Sequence, residues 1–130
     1  PHALAFTGER WHVRAWCEKN RDYRDFALSR FRGEPELLGR SNQTQENDIA
    51  WQTKLTMEII PNPCLSPAQQ KVIAEDYGMS DGKLAITLRA QLIPYAITLL
   101  HLDKAPEDSD PLAYQLVLLN WKNLQKWLSF

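Results

Sequence analysis

The chain has 130 residues, 44% of them hydrophobic and 24% charged, with 15 Lys+Arg against 16 Asp+Glu. That length holds one domain or two very small ones, and the composition is ordinary for a globular chain. The near-neutral balance gives no whole-chain field for gripping duplex DNA, and no helix-turn-helix, zinc-finger or RNA-recognition signature is present, so DNA binding by this segment alone is not expected.

In chain order, residues 2–6 (HALAF) and 10–17 (RWHVRAWC) read as strands joined by TGER, a short Gly-containing connection of the kind that closes hairpins. EKNRDY then leads to a third strand-like run over 24–32, RDFALSRFR. Three antiparallel strands are too few for a closed barrel, so partner strands are expected from elsewhere. Residues 33–48, GEPELLGRSNQTQEND, are polar and aperiodic and read as a linker.

Beyond the linker the pattern changes. WQTKLTMEII, 51–60, alternates as a half-buried strand stopped by PNP. Ser66 and Pro67 supply an N-cap and first helical residue for a short helix ended by Gly78. KLAITL (83–88) reads as a strand, and RAQLIPYAITLLHL (89–102) as helical with Pro94 in its first turn or at a kink. YQLVLLN (114–120) reads as a third strand and NLQKWLSF as a terminal helix. The order β-α-β-α-β suits an α+β sandwich with both helices on one face, a small ferredoxin-like module.

Function signals are sparse outside the first segment. No HExxH, GxSxG, P-loop or GxGxxG is present, no carboxylate pair is placed for acid–base work, and the two cysteines, Cys17 and Cys64, suit neither a metal site nor a disulfide framework. An enzyme is therefore not expected, nor a metal or cofactor. No signal peptide or long apolar span occurs, so the expected location is cytoplasmic, without membrane attachment. The chain opens without a start methionine and reads as a piece of a longer protein.

Charge is unevenly spread. Arg10, Arg14, Arg21, Arg24, Arg30, Arg32 and Arg40 precede residue 41, leaving only Arg89 beyond it. Strand alternation sends Trp11, Val13 and Ala15 to one face and His12, Arg14 and Trp16 to the other. With His2 and Arg30 on neighbouring strands, these side chains would form a basic face walled by Trp16 and Phe26. Cations interleaved with aromatic rings make a platform for a nucleotide or single-stranded nucleic acid. A plainer alternative is that His12 and Arg14 form surface salt bridges with Asp22, Asp25 or Glu18. Trp11 reads as core, and Trp51, Trp121 and Trp127 as packing residues of the second module.

The run PHALAFTGERWHVRAWCEKNRDYRDFALSRF resembles the WYL domain of bacterial repressors of anti-phage defence loci, the BrxR/CapW-like regulators. Trp11-His12-Val13 stands in place of the name-giving Trp-Tyr-Leu triplet, from which His12 and Val13 depart, while Asp25, Phe26, Leu28 and Arg30 follow the pattern of this branch. The resemblance implies a partial WYL domain at 1–33 with an SH3/Sm-like barrel, a linker at 34–48, and at 49–130 a module similar to the WCX extension, which dimerises. It further implies a homodimeric transcriptional regulator, acting on operator DNA through a winged helix-turn-helix outside this chain. Its basic patch would sense a nucleotide or nucleic-acid fragment, at positions that correspond to His12, Arg14 and Arg30, with His2. The competing expectation is a purely structural dimerisation fragment with no ligand.

Overall fold

The computed structural model describes residues 1–128 and divides them into two compact units that part between Gln52 and Thr53. The division falls later than residue 48, because the end of the polar segment and the turn after it are built into the first unit.

In the first unit β1 (Ala3–Phe6), β2 (Trp11–Cys17) and β3 (Asp22–Ala27) form an antiparallel sheet in sequence order. The β1–β2 turn closes through the Thr7 N–H to the Arg10 carbonyl, with Gly8 in the left-handed region (φ 98°) that a side chain would disfavour. Arg14 pairs with Ala3 on one side and Asp25 on the other, and Trp16 pairs with Tyr23. The expected strand over 24–32 ends early: Leu28–Arg30 form a one-turn 3-10 helix, which takes Arg30 off the sheet. His2 lies just before β1 rather than within it. Trp11 is 51% exposed and not core: it starts β2 at the sheet's end, its ring beside the equally exposed Phe6 at 5.3 Å, while Val13 and Ala15 farther along the same face are buried. The segment from Gly33 to Thr44 has no regular structure, and a single 3-10 turn, Gln45–Asn47, leads to α1 (Ile49–Gln52). Trp51 thus belongs to a helical turn of the first unit, although its alternation with Thr53 and Leu55 predicts the start of a strand.

The second unit holds β4 (Lys54–Pro61), α2 (Pro67–Asp76), β5 (Leu84–Arg89), α3 (Ile93–Leu99), β6 (Leu116–Leu118) and α4 (Trp121–Leu124). The sheet order is β5-β4-β6, with both pairs antiparallel. Strand alternation sends Met57, Ile59, Leu116 and Leu118 into one cluster with Ile73 of α2, Ile93 and Ile97 of α3 and Leu124 of α4. The opposite face is polar, carrying a Thr56–Thr87 hydroxyl bond of 2.8 Å and the Lys83–Glu58 pair. Ser66 caps α2 reciprocally with Gln69, and Gly78, at φ 63°, follows its C-terminus. Pro94 sits in the first turn of α3, where its missing N–H costs no hydrogen bond. The terminal helical segment is α4 followed by a 3-10 turn, Gln125–Trp127; Ser129 and Phe130 lie outside the described residues. The class is α+β. Each sheet has three strands and neither closes, so the barrel and ferredoxin-like expectations go no further than that class.

Candidate functional site

Arg14 is central to the first unit. It lies mid-strand in β2 and is only 7% exposed, a position where an unpaired guanidinium is costly. Its Nε donates to Asp48 Oδ2 at 2.7 Å and its Nη2 to Asp48 Oδ1 at 2.9 Å, a two-point fork of the kind arginine forms best with a carboxylate. Asp25, its cross-strand partner, accepts a longer bond from Nη1 at 3.4 Å. His2 Nε2 lies 2.9 Å from Asp48 Oδ2, and the Trp51 N–H donates to Asp48 Oδ1 at 3.3 Å. Burial by itself acts to lower the Arg14 pKa, but the bonds to Asp48 and the charges of Asp25 and Asp48 outweigh it and raise the value. For Asp48, burial pushes upward, while the bonds from Arg14 and His2 and the Arg14 charge hold the carboxyl below its ordinary range.

Around this pair the aromatic rings close in. His2 meets Trp51 edge-on at 5.2 Å and Tyr23 at 5.9 Å, and Tyr23 meets Trp16 at 5.1 Å. The Tyr23 hydroxyl donates to the Thr44 carbonyl, a second tie between sheet and irregular segment.

Of the five residues singled out from the sequence, the structure groups three. His2 and Arg14 meet at Asp48, and Trp16 joins them through Tyr23. His12 pairs with Ala27 at the other end of the sheet, four strand residues from Trp16 and so about 13 Å away at the usual rise. Arg30 follows that same end, exposed in its 3-10 turn. Phe26 pairs with Val13, which puts it on the face opposite Arg14 and makes Tyr23, not Phe26, the aromatic neighbour of Trp16. Of the salt bridges in the plainer alternative, Arg14–Asp25 is present, and it is buried rather than at the surface, with side chains 9% and 10% exposed.

Sequence reasoning missed Asp48, which closes the chain end of what read as a linker. It also passed over a cleft of about 420 Å³ lined by Trp16, Glu18 and Arg21 from the sheet side and by Arg40, Ser41 and Gln43 from the irregular segment. The Arg21 and Arg40 side chains enter no ion pair or hydrogen bond among the described residues, and Arg21 holds a left-handed backbone (φ 49°) in the β2–β3 turn. The only signal for these residues in the sequence was the arginine density before residue 41. No helix among the described residues is long and apolar enough to cross a membrane.

A sheet that holds a buried arginine by a carboxylate from its own trailing segment, followed by a small α+β unit, has clear relatives. Residues 54–124 match the family model for the BrxR transcriptional regulator, C-terminal dimerization domain, and residues 1–33 match the WYL domain. The chain belongs to the BrxR transcriptional regulator family through that C-terminal dimerization domain. It is 35% identical over 130 residues to a Pseudomonas aeruginosa protein named DNA-binding transcriptional repressor CapW, covering 100% of this chain and 43% of that one. A protein of the same name from Stenotrophomonas maltophilia is 32% identical over 128 residues, 98% of this chain and 43% of its own length. One from Escherichia coli (strain KTE188) is 38% identical over 120 residues, 92% and 40% respectively. The chain therefore spans about two fifths of the length of the curated relatives it matches.

Proposed function

We propose that this chain is the ligand-sensing and dimerising half of a bacterial transcriptional repressor, acting at operator DNA through a DNA-binding domain outside these 130 residues. The observation that carries the reading is the order of two matches in one chain, WYL at 1–33 and dimerization domain at 54–124, within a likeness that runs the full length of the chain to proteins named transcriptional repressor. The second unit would hold two copies together, and the first would read an anionic signal derived from a nucleotide or single-stranded nucleic acid, relevant to phage defence.

The basic groups divide between two roles in this reading. Arg14 and His2, bound to Asp48, hold the irregular segment against the sheet. Trp16 offers a ring to a base, and Arg21 and Arg40 offer their forks to phosphate across the cleft. Glu18 in the same lining is an acceptor for an exocyclic amine on a base edge. His12 and Arg30 flank the far end of the sheet and extend the basic surface for a longer strand.

The test is fluorescence anisotropy of labelled single-stranded oligonucleotides and cyclic nucleotides across a salt series. Binding is expected to weaken as salt rises, with a shallower slope for Arg21→Ala/Arg40→Ala and a loss of about tenfold for Trp16→Ala, from about 1–3 kcal/mol of stacking. Affinity unchanged in all of these variants, or insensitive to salt, would overturn the sensing role.

A further inference from the structure

We infer that the apolar groove beside α2 is the surface through which two copies of this chain meet. The inference rests on the dimerising role proposed above and names the face that performs it.

Helix α2 buries one side, through Ile73, against the core of the second unit. Its outer side is not sealed. Val72 is 55% exposed, and Leu112, from the segment before β6, is 63% exposed next to it. Together with Leu65, Ala68, Gln69 and Gln115 they line a groove of about 310 Å³ that carries no charged residue. Exposed aliphatic groups brought together at a groove by two distant chain segments are better explained by a partner than by chance, since isolated exposed apolar residues do not form a recess. Tyr77, also exposed, extends the same helix end with a residue type favoured at interfaces.

The charges around the groove favour a second copy as occupant. Lys71 precedes Val72 while Glu75 and Asp76 follow it, and none of the three forms an ion pair among the described residues. A two-fold axis through Val72 packs α2 antiparallel to its counterpart, so that position 72+k faces 72−k. With about 1.5 Å of rise and 100° per residue, Lys71 of one copy then falls within about 3 Å along the axis of Glu75 of the other and on the same flank, and symmetry repeats the pair. An isologous contact has to be complementary to itself, and an apolar centre flanked by a cation and a carboxylate on one side of the same helix satisfies that condition.

Sedimentation equilibrium of the whole chain over the micromolar range, with far-UV circular dichroism on each variant, tests the assignment. Val72→Glu/Leu112→Glu is expected to weaken self-association by at least about a hundredfold with unchanged ellipticity, because four charges are buried per dimer. Lys71→Glu and Glu75→Lys are each expected to weaken it by about three- to tenfold, and the double exchange to restore it. Trp121→Glu, on another exposed apolar residue of the unit, is expected to leave it unchanged. Wild-type chain that stays monomeric overturns the dimerising role itself. A wild-type dimer that survives Val72→Glu/Leu112→Glu, or that dissociates in Trp121→Glu instead, overturns the α2 face and leaves the dimerising role standing.

Discussion

Arg14 and Asp48, 34 residues apart, form a two-point fork with both side chains under a tenth exposed. Removing one member of such a pair leaves a buried charge without its partner, at a cost of about 3–5 kcal/mol. Asp48→Ala is therefore expected to destabilise the first unit by about 3 kcal/mol or more, and Arg14→Ala by a similar amount. The double substitution should cost less than the sum, with a coupling of about 2 kcal/mol in a denaturant-based double-mutant cycle. Strict additivity would show that the fork contributes nothing as a pair.

The same carboxylate sets an acid limit. Because Asp48 has a depressed pKa in the folded state, its contribution is fully present above the unfolded value, about pH 3.9, and is lost as pH falls through the lower folded value. The stability gap between wild type and Asp48→Asn is expected to be flat from neutral pH to about pH 5 and to close below about pH 4. Urea unfolding at stepped pH measures it; a gap that widens on acidification would contradict the sign.

How much of this was legible beforehand depended on distance along the chain. The hairpins could be read because period-two alternation and the TGER turn are local, and Ser66-Pro67 marked the start of α2 for the same reason. Arg14 and His2 stood out by residue type. Their partner did not, because nothing within a few residues of Asp48 distinguishes it from other linker acids. The sequence does not show which face Phe26 takes, since parity across a hairpin is set by the length of the turn. The observed register pairs Arg14 with Asp25 and Val13 with Phe26. At Trp51 two local signals competed, and the Asp48 side chain bound to the Trp51 N–H decided for a helical turn over strand alternation.

In the second unit the reciprocal cap of α2 gives a direct estimate of local consistency. Ser66 Oγ accepts from the Gln69 N–H at 3.2 Å, and Gln69 Oε1 accepts from the Ser66 N–H at 3.0 Å. Ser66→Ala is expected to cost about 1 kcal/mol, with Ser66→Asp retaining most of it. Thermal unfolding of the three proteins checks this; equal midpoints would mean the helix end is held by its packing alone.

Gln91 runs the other way. It is 7% exposed, and neither amide atom has a hydrogen-bond partner among the described residues. Burying an unpaired amide costs about 1–3 kcal/mol, so Gln91→Leu is expected to raise stability by about 1 kcal/mol. A loss on substitution would reveal a bound water that satisfies the amide.

The polar run ahead of Asp48 reads as a tether, yet both of its ends are fastened to one sheet, at Ala27 where β3 stops and at Asp48 on Arg14. It is a closed loop, and polymer reach does not describe it. Lengthening it would add ring-closure entropy, about 0.6 kcal/mol for each doubling, and would leave the Asp48–Arg14 fork at its far end unchanged. Evolution can therefore vary the loop freely in length while its far end stays fixed where Asp48 meets Arg14.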